Sequence, residues 1–133
     1  MKPFSRVLAV VVSCLVLTAC DGPFIFMSGG KLSGPVVETP AVWQLEEDYG
    51  FIQLETRPDE PYSVNLAYVQ MNGRFYVYAG DTRTEWVAHI ESNPMVRVRV
   101  EDNIYAAEAV RVEDDDEIVE FAGRWASRSV FQR

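Results

Sequence analysis

The chain has 133 residues, with 20 acidic against 12 basic side chains, a net charge of −8 and 48% hydrophobic residues. That balance excludes a nucleic-acid binder, because a phosphate backbone is held by clustered cations. The length suffices for one domain with one core and not for two.

Residues 1–19 read as an export signal. Lys2 and Arg6 supply its positive start, and Val7 to Leu17 is apolar apart from Ser13 and Cys14. That run is too short to span a bilayer, which needs about 20 apolar residues. It ends in Leu17-Thr18-Ala19-Cys20, which resembles the lipobox of bacterial lipoproteins, whose cysteine is acylated and becomes the new N-terminus. The resemblance implies a palmitate-type lipid anchor on Cys20 that ties the domain to a membrane of the cell envelope, facing the periplasm. Asp21 is similar to the signal that retains such proteins at the inner membrane. Cys14 leaves with the leader, so the mature chain has no disulfide and must hold by core packing. Cleavage removes Lys2 and Arg6 and no acid, leaving 10 basic against 20 acidic residues and a net charge of −10.

Residues 20–40 carry the lipidated cysteine and a Gly-, Pro- and Ser-rich stretch without periodicity, which reads as a flexible tether. Phe24, Ile25 and Phe26 are too apolar for a pure spacer, and dock either on the domain or on the lipid interface. Residues 41–133 form the domain. A short helical turn fits Trp43 to Asp48, and period-two patterning then predicts strands over Phe51 to Thr56 and Ser63 to Met71. Asn72-Gly73 supplies the positive φ values of a type I′ turn, and Arg74 to Ala79 returns as the partner strand. Thr84 to Asn93 places Trp86, Val87 and Ile90 on one helical face, closed by Pro94. Met95 to Glu101 alternates, valines inward and arginines outward, with a tight turn at Asp102-Asn103 and a further strand over Ile104 to Val112. An acidic run, Glu113 to Glu117, precedes an amphipathic helix around Ile118 to Trp125, capped by Asp115 or Asp116. The expected fold is mainly β within the α+β class: a small antiparallel split β-barrel with a short connecting helix and a C-terminal helix.

The stretch Ser63 to Gly80 (SVNLAYVQMNGRFYVYAG) and the following Asp81 to Val100 (DTRTEWVAHIESNPMVRVRV) resemble the FMN-binding split-barrel proteins, the pyridoxamine-phosphate-oxidase-like fold, and among them the deazaflavin-dependent nitroreductase-like proteins. Trp86, Asn93-Pro94 and Val96 to Val100 sit at matching places. The resemblance implies FMN or a deazaflavin as cofactor, oxidoreductase activity and a homodimer with the cofactor groove at its interface. Two features depart from it: Gly80-Asp81-Thr82-Arg83 is short and acidic where the relatives carry a glycine-rich loop with a lysine, and Pro58 to Tyr62 replaces a Gly/Ser-rich turn.

Each candidate site residue has a structural reading beside the functional one. Arg83, at a helix start, suits a cofactor phosphate, or pairs with Asp81 or Glu85. Thr82 and Thr84 add hydroxyl contacts or cap the helix. His89 lines a pocket or is a hydrogen-bonded boundary histidine; no second histidine completes a metal site. Ser63 and Asn65, on the face of Ala67, Val69 and Met71, hydrogen-bond a flavin edge or face solvent. Tyr62, Tyr68, Tyr76, Tyr78 and Trp86 stack on a cofactor plane or pack the core and a dimer interface. Arg97, Arg99 and Arg111 complement Glu101 and Glu108 across strands. The competing function, from another class, is a cofactor-free envelope lipoprotein that uses the barrel as a scaffold or ligand binder.

Overall fold

The computed structural model describes residues 22–24, 27–80 and 84–128. Its strands are β1 (Val36–Val37), β2 (Tyr49–Thr56), β3 (Tyr62–Met71), β4 (Arg74–Val77), β5 (Met95–Val100) and β6 (Asn103–Glu108). Helix α1 (Glu85–Ser92) lies between β4 and β5, and α2 (Asp115–Arg128) follows β6. The strands form one curled half-barrel sheet in the order β1-β6-β5-β2-β3-β4. All neighbours run antiparallel except β1 and β6, which makes the sheet mixed. This is the mainly β, split-barrel-like architecture expected, with its connecting and C-terminal helices.

Alternation sorts the strand residues onto two faces. Ile52 and Leu54 of β2, Val64 and Leu66 of β3, Val77 of β4, and Val96, Val98 and Val100 of β5 share the concave face with Trp86 of α1. Leu54 is 2% exposed and Val98 4%. The hairpin β3–β4 turns on Asn72 and Gly73, at φ of 54° and 71°, the two positive angles that a type I′ turn requires. Gly50 is needed for another reason: a Cβ there would stand 2.9 Å from the Tyr68 ring, which lies across it from the paired strand.

Four departures from the sequence reading have physical causes. Residues 43–48 form no helix; the chain crosses the open side of the sheet, where Trp43 donates its N–H to the Gly73 carbonyl at 2.8 Å. The Trp43 ring meets Phe75 of β4 at 5.3 Å and Tyr105 of β6 at 5.0 Å, so one indole links strands on opposite sides of the curl. The β5–β6 turn falls at Glu101-Asp102, one residue early, with Glu101 at φ 56°. Helix α2 starts at Asp115, and it is the Asp114 carbonyl that accepts the Ile118 N–H, so Asp114 takes the cap position.

The fourth concerns the stretch read as a tether. Residues 29–40 are tied to the sheet: they bridge the edge of β3 at Gly29, cross the convex face at Leu32 and add β1 at the far edge. Gly29 and Ser63 exchange N–H···O bonds, both 2.8 Å, Leu32 is 1% exposed, and Val36 and Val37 pair with Ile104 and Tyr105. Thr39 donates to the Ala106 carbonyl. Helix α2 covers the other part of that face: Phe121 and Trp125 meet Tyr76, Tyr78 and Tyr49 at centroid distances of 5.3–6.0 Å.

Candidate functional site

The chemistry gathers where β2 ends. On the convex side, the Glu55 carboxylate is buried, its side chain 5% exposed, and faces the Arg97 guanidinium at 3.2 Å. The same carboxylate accepts the Leu32 N–H at 2.6 Å, and Arg97 donates to the Leu32 carbonyl at 3.2 Å. Two side chains thus hold both polar groups of one residue, as a neighbouring strand would. Arg97 therefore pairs across to β2 and Arg99 donates to Gln53 Oε1 at 2.6 Å, where the expected partners of these arginines were Glu101 and Glu108. Beside this clamp opens a cavity of about 290 Å³, lined by Lys31, Glu55, Thr56, Pro58, Pro61, Met95, Val96, Arg97 and Ala106. Lys31 is exposed and makes no ion pair among the described residues.

On the concave side, Thr56 Oγ1 lies 2.9 Å from His89 Nδ1, and Arg57 Nη1 lies 3.3 Å from His89 Nε2. Arginine can only donate, so Nε2 accepts and Nδ1 carries the hydrogen toward Thr56. Both ring nitrogens are committed. The Tyr62 ring packs edge-on to the imidazole at 5.0 Å. Burial pushes the Tyr62 hydroxyl above its ordinary range, reinforced by a hydrogen bond to Glu85. These contacts fix the loop 57–61, in which Arg57, at φ 57°, donates from Nε to the Glu60 carbonyl at 2.7 Å.

The residues proposed for a flavin are divided between the two faces. Trp86 and His89 stand on α1 over the concave face, where Trp86 is 9% exposed and part of the core. Ser63 lies on the convex face, 0% exposed, and donates to the Gly30 carbonyl at 2.7 Å. Asn65 shares that face through its alternation with Ser63. Arg83 and Thr82 lie outside the described residues. Thr84 occupies the α1 cap position without a side-chain cap bond, and its Oγ1 is buried with no partner among the described residues. Trp86, Ser63 and Asn65 therefore do not form one binding wall, and they do not fit a flavin seated between them. Cys20 and Asp21 also lie outside the described residues. Among the described residues no group of three or more His, Cys, Asp and Glu side chains is placed to hold a metal ion, and no helix is long and apolar enough to cross a membrane.

Sequence reasoning missed the Glu55–Arg97 clamp and the cavity beside it. The available signal was Glu55 itself, a charged residue beside Leu54 and Thr56 in a strand otherwise patterned for burial.

No protein-family model, curated protein or solved structure matches the chain.

Proposed function

We propose that the protein is a lipid-anchored envelope protein whose half-barrel is a cofactor-free ligand-binding scaffold, taking a small, largely apolar anion in the cavity at the end of β2. The observation that carries this reading is the division of the flavin candidates: Trp86 is consumed by the core, and Ser63 by Gly30 of the 29–40 segment, a strap over the opposite face. The cavity walls contributed by Pro58, Pro61, Met95, Val96 and Ala106 suit an apolar body, and Lys31 supplies a cation free to meet a charged head. Glu55 is already matched by Arg97 and the Leu32 N–H, so it opposes an anion less than a bare carboxylate would.

The test uses the mature chain with Cys20→Ser. Medium-chain carboxylates such as octanoate should raise its Tm, by about 1.4 kcal/mol of stabilisation at ten times Kd. Lys31→Glu should abolish the shift while leaving the unliganded Tm unchanged. Visible absorbance in the purified protein, or a Tm rise with FMN or a deazaflavin but none with carboxylates, would overturn the reading in favour of the flavin-dependent oxidoreductase.

A further inference from the structure

We infer that the domain lies against the membrane surface, with the bridged pair Phe24 and Met27 as its lipid-facing contacts, instead of standing off on a spacer. The inference rests on the proposed anchor at Cys20 and adds how that anchor presents the domain.

Only Asp21 and Gly22 separate Cys20 from Pro23, and Pro23 is buried against the domain. Three Cα steps of 3.80 Å bound that separation at about 11 Å. Gly22 runs beside Gln53 on the convex face, since a Cβ built on it would sit 3.9 Å from Gln53 Nε2. An acylated Cys20 therefore keeps that part of the convex face within about 11 Å of the lipidated residue, the depth of one to two headgroup layers of about 5–8 Å each.

Phe24 and Met27 turn most of their side-chain surface away from the protein. Phe24 and Met27 form an antiparallel bridge closed by N–H···O bonds of 3.1 and 2.8 Å, so the turn is held by its own backbone. Their side chains are mostly left uncovered by the domain: Phe24 is 69% exposed and Met27 68%. An aromatic ring and a thioether on a self-supported turn, one residue beyond a pinned proline and four beyond the lipid, are placed for the headgroup–acyl boundary. The net charge of −10 selects zwitterionic over anionic lipid as the partner.

In the mature chain the Cys20 thiol is acylated, so Met27→Cys gives a single labelling site for a nitrobenzoxadiazole fluorophore, and Glu91→Cys gives an exposed control on α1, over the opposite face. The acylated proteins, purified from membranes, are reconstituted on phosphatidylcholine vesicles and quenched with iodide. Co-sedimentation with the vesicles, together with quenching at residue 27 at least threefold weaker than at residue 91, is the expected result. Equal quenching at the two positions in vesicle-bound protein overturns the surface-lying arrangement and leaves the anchor standing. Protein that stays in the supernatant overturns the anchor and this inference with it. Equally strong shielding at residue 27 in the Cys20→Ser form without vesicles shows that a second copy covers the turn, and overturns the lipid assignment.

Discussion

On the concave face Leu54 and Val98 are packed by aliphatic and aromatic neighbours, whereas one residue further along β2 Glu55 is 4% exposed on the convex face and is held by Arg97 and Leu32. The first face is closed by burial that carries no direction; at the Glu55 end of the second, the burial of Leu32 and Ile104 is joined by hydrogen bonds that must be met one by one. Failure of the concave packing removes the core that all the strands share. Failure of the convex clamp frees a strap whose release leaves the β2–β3–β4 and β5–β6 ladders intact. Concave substitutions should therefore act globally and convex ones locally.

The largest effect tests the concave half of that contrast. Leu54→Ala should cost about 3 kcal/mol, from lost burial plus the cavity left behind. Urea unfolding should show a lower midpoint with an unchanged slope, because the whole domain still unfolds as one unit. A loss confined to one probe, such as Trp fluorescence without far-UV change, would mean that the core is not shared.

Glu55→Ala comes next, at about 2 kcal/mol, because it orphans the Leu32 N–H and leaves Arg97 unpaired, though Arg97 reaches solvent with 24% of its side chain exposed. Hydrogen exchange should accelerate at Leu32 and in β1 while β2 and β3 keep their protection. Glu55→Gln retains an acceptor for the Leu32 N–H and should lose less. Uniform acceleration across the sheet would show that the clamp belongs to the same cooperative unit as the core.

The contrast also explains which parts were legible in the sequence. The alternation of Met95 to Val100 and the Asn72-Gly73 pair locate β5 and the β3–β4 hairpin, because period and turn chemistry are local properties. The strap was not legible. Its glycines and prolines read as linker, and two-residue β1 is too short to show a period. Alternation set Arg97 opposite the valines correctly, but its carboxylate partner lies 42 residues away and the peptide it holds 65 away. The candidate site failed for a related reason. Ser63 and Asn65 do share a face, but alternation alone does not say which face α1 covers. Tyr62, Val64, Leu66 and Tyr68 carry the greater apolar bulk, and that face receives Trp86.

The smallest effect separates the two covers of the convex face, strap and helix. On α2, Glu117 accepts a hydrogen bond from the Tyr76 hydroxyl and pairs with Arg74 at 2.9 Å. The Tyr76 hydrogen bond, then Arg74, holds the Glu117 carboxyl below its ordinary range. Tyr76 is pushed up, first by burial and then by Glu117. The folded state thus binds the Glu117 proton less readily than the unfolded chain, so this contact's contribution is present above the ordinary carboxylate pKa, near 4.3, and is lost as pH falls through the lowered value. Tyr76 has the opposite sign: its contribution is present below about pH 10 and is lost as pH rises through the raised value. The effect is small because Arg74 is 70% exposed and water screens the pair. Near-UV circular dichroism should report acid loosening of the Trp125–Tyr49–Tyr78 contacts, with Leu32 exchange unmoved, and Glu117→Gln should flatten the acid limb. If Glu117→Gln leaves that limb unchanged, another carboxylate governs the docking of α2, and helix and strap are not independent covers.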